Sequence, residues 1–153
     1  MEDVWSPPHF DLLKFNVDGL SMGMPGPTGI GGVLRDFNGK VLCIFSIYIG
    51  IQDSNMAEVA AILKACELCA SNPTLADNKI TIASDSKVVI SWIKNKEFGS
   101  FSYLNILYNI KSLLHDLGDV EVCYNPRSTN SFADKLANMG SANSGDRISW
   151  GDL

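Results

Sequence analysis

Alternating apolar and polar positions define three consecutive strands in the first third of the chain. Residues 11–18 alternate, residues 30–35 form a second apolar run, and residues 40–49 form a third. Residues 23–29 separate the first two runs and residues 36–39 separate the last two, and both segments are rich in turn-forming residues. Short connections between successive strands predict an antiparallel meander.

The apolar period becomes helical from residue 54, and the helices then alternate with two further strands. Helices are predicted over residues 54–71, 86–94, 104–117 and 131–139, and strands over residues 79–84 and 120–124. The order is therefore β-β-β-α-β-α-α-β-α. It predicts an α/β fold with a five-stranded mixed sheet, formed by the three-strand antiparallel meander plus two parallel strands and flanked by helices.

The two ends of the chain differ from the patterned middle. Residues 1–10 include Trp5-Ser6-Pro7-Pro8 and predict an extended lead-in, because proline cannot continue a helix or a ladder. Residues 141–153 are rich in Ser, Gly, Asn and Asp and predict a flexible tail. Residues 11–140 are therefore expected to form one domain with a substantial core.

Composition and charge narrow the class of protein. The chain is 46% hydrophobic and 19% charged, as is usual for a globular domain. Twelve Lys and Arg against seventeen Asp and Glu give a net charge of -5, which argues against a broad basic surface for nucleic acid. No apolar run has the length of a membrane span, so a membrane is not an expected partner.

The cysteines bear on the compartment. Cys66 and Cys69 form a CxxC motif inside a helical pattern, with no second Cys or His pair nearby in sequence. We expect buried apolar residues there rather than a metal or redox site. Because four cysteines occur without a signal-peptide pattern, the sequence predicts a reducing compartment, the nucleus or the cytoplasm.

Four acidic residues occupy positions that surface residues do not usually take, although each has an ordinary explanation. Asp18 ends the first strand before a glycine, as a turn residue would. Glu58 shares the apolar face of the first helix, yet a first-turn glutamate also suits the helix dipole. Asp85 follows the fourth strand, where it could N-cap the next helix. Asp134 lies near the start of the last helix and could stabilise its dipole.

Taken together, the four acids suggest a common site, because one sheet could bring them to the same place. Converging carboxylates repel one another and raise each other's pKa values unless a cation is present. Mg²⁺ and Mn²⁺ are the hard cations that such oxygen ligands bind. Two such ions can activate a water and stabilise the leaving oxygen at phosphorus. Phosphodiester hydrolysis is therefore the leading reaction class.

Four groups of motifs carry a family resemblance: "FNVDG" followed by "GMPGPTGIGGVLRDFNGKVL", then "NMAEVAAILKACELCA", "IASDSKVVISWI" and "NPRSTNSFADKLANMG". Together they resemble the type I ribonuclease H family, and most of all the plant domains of that family found in retroelement-derived reverse transcriptases and as free-standing proteins. The resemblance covers residues 5 to 140. It implies that two Mg²⁺ (or Mn²⁺) ions, bound by Asp18, Glu58, Asp85 and Asp134, hydrolyse the RNA strand of an RNA/DNA hybrid.

The resemblance also implies substrate contacts. Asn55 matches a family asparagine near the substrate, and Gly19 and Ser86 adjoin two of the acids in the same motifs. Backbone groups of the glycine-rich segment would approach the RNA 2′-hydroxyls. Arg127 stands where archaeal-type members carry an arginine that helps product to leave, although an ordinary surface arginine in a loop explains the residue equally well.

The chain departs from the family pattern at two positions. Met24 replaces the asparagine that the family often has in "GNPG". Tyr124 falls where a flexible histidine helps product to leave, and tyrosine cannot shuttle a proton near neutral pH as histidine can.

Two other functions remain open at this stage. The fold could serve as a catalytically weak or inactive module that binds nucleic acid or protein. A 3′-to-5′ exonuclease of the wider fold family is disfavoured by the meander and its glycine-rich segment. Residues 94–103 offer only Lys94 and Lys96 beside aromatic residues, so we expect weak, salt-sensitive binding of the hybrid. We also expect a monomer that could be part of a larger retroelement polyprotein.

Overall fold

The computed structural model describes residues 12–75, 78–95 and 103–151, so the predicted lead-in over residues 1–10 lies outside the described residues, as does Lys96. Within the described ranges the chain forms six strands and four α-helices. The strands are β1 (Leu12–Ser21), β2 (Gly26–Arg35), β3 (Val41–Gln52), β4 (Lys79–Ser84), β5 (Val120–Tyr124) and β6 (Arg147–Trp150). The helices are α1 (Ser54–Ser71), α2 (Lys87–Lys94), α3 (Leu104–Leu117) and α4 (Ser131–Ser141).

The strands form one mixed sheet in the order β5-β4-β1-β2-β3-β6. β1, β2 and β3 are the predicted antiparallel meander, and β4 and β5 extend it in parallel beyond β1. The predicted α/β fold is therefore confirmed. β1 lies inside the sheet with neighbours on both sides, so a side chain on it is held rigidly.

The predicted number of five strands is wrong, because β6 adds a sixth. It pairs antiparallel with residues 43–46 of β3, with Phe45 opposite Ile148. These four residues belong to the segment predicted as a flexible tail. A strand this short, flanked by Ser, Gly, Asn and Asp, has no pattern of its own, and the edge of β3 supplies its hydrogen bonds.

The glycines of β2 serve close packing rather than a turn. Residues 26–29, predicted as part of a turn, already belong to β2, and the bend covers only residues 22–25. A Cβ atom on Gly29 or Gly31 would collide with the backbone of α4. These two glycines therefore let α4 lie directly on the sheet.

The main core lies between the sheet and the helices α1 and α3. The largest fully buried apolar side chains are Phe15, Phe45, Leu34, Ile62, Ile82, Leu107, Ile110, Val17, Val33, Val59 and Val89. Phe15 and Phe45 meet edge to face with ring centroids 5.8 Å apart. Cys66 and Cys69 are buried on α1, where burial raises the pKa of each thiol to about 12. They are therefore unreactive apolar residues, as predicted.

Among the described residues, no helix combines the length and the apolar character that crossing a membrane requires.

Candidate active site

Asp18 lies near the C-terminal end of β1 and is only 5% exposed. It stands directly opposite Gly31 of β2, and opposite residues of a ladder share a face, so Asp18 points to the α4 side of the sheet. The next residue, Gly19, faces α1, where a Cβ atom would collide with the backbone of Ala57. Gly19 therefore brings α1 close enough for its side chains to reach the end of β1.

Glu58 is buried on α1 and reaches the same point from the opposite face of the sheet. The Gly19 N–H donates to Glu58 Oε1 at 2.8 Å and to Asp18 Oδ1 at 3.0 Å. One backbone donor thus holds both carboxylates side by side. The prediction that Glu58 points inward is confirmed by its burial.

Ser84, at the end of β4, fixes the other oxygen of Glu58. Its hydroxyl donates to Glu58 Oε2 at 3.3 Å and accepts the Ser86 N–H at 3.2 Å. Ser86 in turn N-caps α2 by accepting the Val89 N–H at 3.2 Å. Glu58 is therefore connected to the start of α2. Ser84 was not among the predicted site residues, although its position at the end of β4, immediately before Asp85, could have indicated a role in the site.

Asp85 is half-buried between Ser84 and Ser86 and completes a group of three acids. One carboxylate oxygen each from Asp18, Glu58 and Asp85 lie within 4.8 Å of one another. The suggestion that Asp85 N-caps the following helix is wrong, because Ser86 takes that position. The carboxylate of Asp85 is therefore available to the cluster.

Asp134 approaches Asp18 from α4 and lines the same cleft, but it lies outside the group of three. Its helix is tied to β1 by Asn130, whose Nδ2 donates to the carbonyl oxygen of Val17 at 2.8 Å. That carbonyl belongs to the residue just before Asp18. The Arg127 guanidinium is 78% exposed and lies 4.0 Å from Asp134 Oδ1, so it forms only a loose ion pair.

The pKa values of the clustered acids are raised by burial and by the repulsion between their negative charges. Burial is the largest cause that raises the pKa of Asp18 to about 7 and that of Glu58 to about 10. The negative charges of Asp85 and Asp134 raise the pKa of Asp18 further. The hydrogen bond between the pair lowers the pKa of Asp18 and raises that of Glu58, so Glu58 binds a proton more strongly than Asp18 does. A divalent cation would replace that proton.

The four acids line a cleft that encloses about 360 Å³. The predicted substrate residues line it too: Gly19, Asn55 and Ser86. Ser21, Tyr124 and Arg127 contribute to the same wall. The structure therefore places every predicted site residue around one cleft, although their roles in binding and catalysis stay predictions.

The two positions that depart from the family pattern lie at the rim. Tyr124 is 39% exposed, and the Lys87 ammonium lies 5.0 Å from the centre of its ring. Met24 is 91% exposed at the tip of the β1–β2 bend. Tyr124 thus places a cation beside the cleft, whereas Met24 makes no enclosed contact.

The N-terminus of α1 has a support that sequence reasoning did not find. Asp53 N-caps α1 by accepting the Met56 N–H at 2.7 Å. Its second oxygen, Oδ2, accepts the Tyr103 hydroxyl at 2.8 Å. Fifty positions separate Asp53 from Tyr103, so no local pattern could have indicated the contact.

Solved structures with the same fold were found among ribonucleases H. LC11-RNase H1, isolated from compost by a metagenomic approach, has a TM-score of 0.81 at 26% identity, over 88% of this chain and 98% of that one. RNase H1 from the halophilic archaeon Halobacterium salinarum has a TM-score of 0.78 at 27% identity, over 87% of this chain and 99% of that one. The fold and the cleft thus define a chain of the ribonuclease H-like α/β class.

The sequence comparison gives the family. Residues 16–140 match the "Reverse transcriptase-like" family, and the chain belongs to it. Ribonuclease HI of Halobacterium salinarum is 30% identical over 122 residues, which are 79% of this chain and 60% of that protein. A protein of Arabidopsis thaliana with the provisional name of a ribonuclease H is 28% identical over 134 residues, 88% of this chain and 21% of its own length. The chain thus spans less than two thirds of either relative.

Proposed function

We propose that this chain hydrolyses the RNA strand of RNA/DNA hybrids with the help of divalent cations. The observation that carries the proposal is the meeting of Asp18, Glu58 and Asp85 within 4.8 Å, in a cleft that Asp134 also lines. LC11-RNase H1, whose fold is similar, has also been solved in complex with an RNA/DNA hybrid, with a TM-score of 0.79 at 26% identity.

The donor set fits Mg²⁺ or Mn²⁺. All the candidate ligands are carboxylates, which are hard oxygen donors, and no thiol or imidazole lines the described part of the cleft. Asp18, Glu58, Asp85 and Asp134 would together hold two ions. When bound, such ions supply an activated water and stabilise the leaving oxygen at phosphorus.

The residues around the acids would position the substrate and the ligands. The Gly19 N–H and the Ser84 hydroxyl hold Glu58 from two sides, so its carboxylate cannot rotate away. Asn55 lies exposed at the start of α1 and faces the cleft, where an amide can pair with the 2′-hydroxyl of an RNA strand. Arg127 is 78% exposed and only loosely paired with Asp134, so its guanidinium would be available to contact a phosphate after cleavage.

The partners and context of the chain follow the same proposal. The hybrid is the expected partner, and the acidic net charge of -5 predicts weak binding, because few cationic side chains are available to pair with the phosphates. A monomer, a nuclear or cytoplasmic location and a place within a larger retroelement polyprotein stay predictions.

The test is cleavage of a labelled RNA/DNA hybrid at low salt, in Mg²⁺ and separately in Mn²⁺. The variant Asp85→Asn keeps the shape of the side chain but removes one ligand charge. Asp119→Asn is the matched control, because Asp119 is exposed and lines a different surface hollow. We expect Asp85→Asn to lose at least about a hundredfold in rate, since a ligand to the catalytic ions is changed.

The opposite result would favour the other candidate function. If wild-type protein cleaves no faster than Asp85→Asn with both metals, the proposed hydrolysis of the hybrid is wrong. Retained affinity for the hybrid in the same samples would then identify a binding module, which the Tyr124 and Met24 substitutions would explain.

A further inference from the structure

Tyr103 connects the start of α3 to the start of α1 across the edge of the candidate active site. Its side chain is enclosed, with 8% of the residue exposed, and its hydroxyl donates to Asp53 Oδ2 at 2.8 Å. Tyr103 therefore contacts the capping residue of α1, which lies two positions before the predicted substrate residue Asn55.

Asp53, which caps α1, can make both of its hydrogen bonds in only one orientation. Asp53 uses Oδ1 to accept the Met56 N–H and Oδ2 to accept the Tyr103 hydroxyl. A carboxylate held at both oxygens has a fixed orientation. The first turn of α1, which includes Asn55, is therefore held in place by a residue from α3.

The aromatic ring of Tyr103 is itself fixed by stacking. The Trp92 ring of α2 lies against it, with centroids 5.2 Å apart and an angle of 25° between the planes. The helix α2 is N-capped by Ser86, which lies beside Asp85 and in the wall of the cleft. One side chain thus joins the two helices, α1 and α2, whose N-terminal ends border the cleft.

We propose that Tyr103 is a positioning residue that sets the place of Asn55 in the cleft by holding Asp53, and that it thereby controls the affinity for the RNA strand. The inference rests on the proposed hydrolysis of RNA/DNA hybrids. Tyr103 does not line the cleft itself, so it acts through Asp53.

The proposal separates binding from chemistry. The acids are held by Gly19 and Ser84, neither of which depends on Tyr103. Loss of the Tyr103 hydroxyl should therefore disturb Asn55 and leave the acids in place. An interaction that is the same in the ground state and the transition state changes KM and not kcat.

The test uses Tyr103→Phe, which removes the hydroxyl and keeps the ring that stacks on Trp92. Tyr108→Phe is the matched control, because Tyr108 lies on the same helix and is 70% exposed. We expect Tyr103→Phe to raise KM for the hybrid by about five- to tenfold, because Asp53 loses one of the two hydrogen bonds that hold it, with kcat within about twofold. Tyr108→Phe should change neither.

Amide hydrogen exchange of the free protein gives a readout that does not need activity. The Met56 N–H should exchange about tenfold faster in Tyr103→Phe, because its acceptor Asp53 is less constrained. In an Asp53→Asn background, which keeps a good N-cap, Tyr103→Phe should have a much smaller effect on KM.

The results distinguish the two proposals. An unchanged KM in Tyr103→Phe, or equal changes in Tyr103→Phe and Tyr108→Phe, would overturn the positioning role, and so would unchanged exchange at Met56. A wild-type protein that cleaves no hybrid would overturn the proposed function and with it the control of affinity. The exchange measurement would still decide whether Tyr103 holds α1.

Discussion

Replacing Glu58 with glutamine should stabilise the protein in the absence of metal and abolish its stabilisation by metal. Glu58 is nine-tenths enclosed, and burial raises its pKa far above the ordinary value of 4.5. Glutamine has the same shape and is neutral at every pH. It can still accept the Gly19 N–H and donate to Asp18, so the geometry of the site should survive.

The magnitude follows from the protonation of the two states. At pH 7 the unfolded chain has an ionised Glu58, while the folded protein keeps it protonated. Because the folded pKa is raised, this contribution to stability is complete below pH 4.5 and is lost as pH rises toward the folded pKa of about 10. The loss is about 1.4 kcal/mol per pH unit, or about 3 kcal/mol by pH 7. Glu58→Gln does not lose this free energy as pH rises, because glutamine does not ionise.

The assay is thermal unfolding in a chelator from pH 5 to pH 8, and again with Mg²⁺ or Mn²⁺. At pH 7 the melting temperature of Glu58→Gln should exceed that of wild type by about 5 to 10 °C, and the difference should shrink toward pH 5. Metal at a hundredfold excess over its dissociation constant should stabilise wild type by about 2.7 kcal/mol and Glu58→Gln by much less.

Glu67→Gln is the control for this measurement, because Glu67 is exposed on the same helix. It should behave as wild type in both conditions. A difference between Glu58→Gln and wild type that does not change with pH would contradict the argument, and so would a Glu58→Gln protein that metal stabilises as strongly as wild type.

Three further substitutions test how the helix α4 is held and what Arg127 contributes. Gly31→Ala should lose about 2 to 3 kcal/mol in denaturant unfolding because its Cβ meets the α4 backbone, more than Gly118→Ala, which has open space and only the strain of a positive φ. Asn130→Ala should lose about 1 to 3 kcal/mol by the same assay, since the carbonyl of the residue before Asp18 loses its buried donor, whereas the exposed Asn138→Ala should be near neutral. Arg127→Ala should leave the melting temperature within about 1 °C, because its side chain is exposed and loosely paired. The same variant should lower the steady-state turnover of hybrid, because the proposed contact of Arg127 with a phosphate after cleavage is lost.

Much of the fold follows from periodicity. The change of period after residue 53 places α1 at the bounds that the structure has, and the helical period puts Glu58 on its inward face. The alternation of β1 places Asp18 near a strand end. These features are local, because they depend on residues within a few turns or pairs of each other.

The features that sequence reasoning missed depend on distant partners. β6 exists because β3 offers a free edge about a hundred residues earlier. Gly29 was predicted as part of a turn and Gly31 as part of the second strand, yet the reason for both glycines is α4, which lies much later in the chain. The contact of Ser84 with Glu58 and that of Tyr103 with Asp53, the N-cap of α1, join elements that only the folded sheet brings together.

The cleavage rate of one RNA strand should be measured in two duplexes, with DNA and with RNA as the complement, in Mg²⁺ or Mn²⁺ and again in a chelator. We expect the hybrid, which is the proposed substrate, to be cleaved at least about tenfold faster than the RNA duplex. A chelator should abolish this cleavage, because the proposed catalytic centre is a carboxylate site for divalent ions. Equal rates in the two duplexes, or cleavage of the hybrid that persists in chelator, would contradict the proposed function.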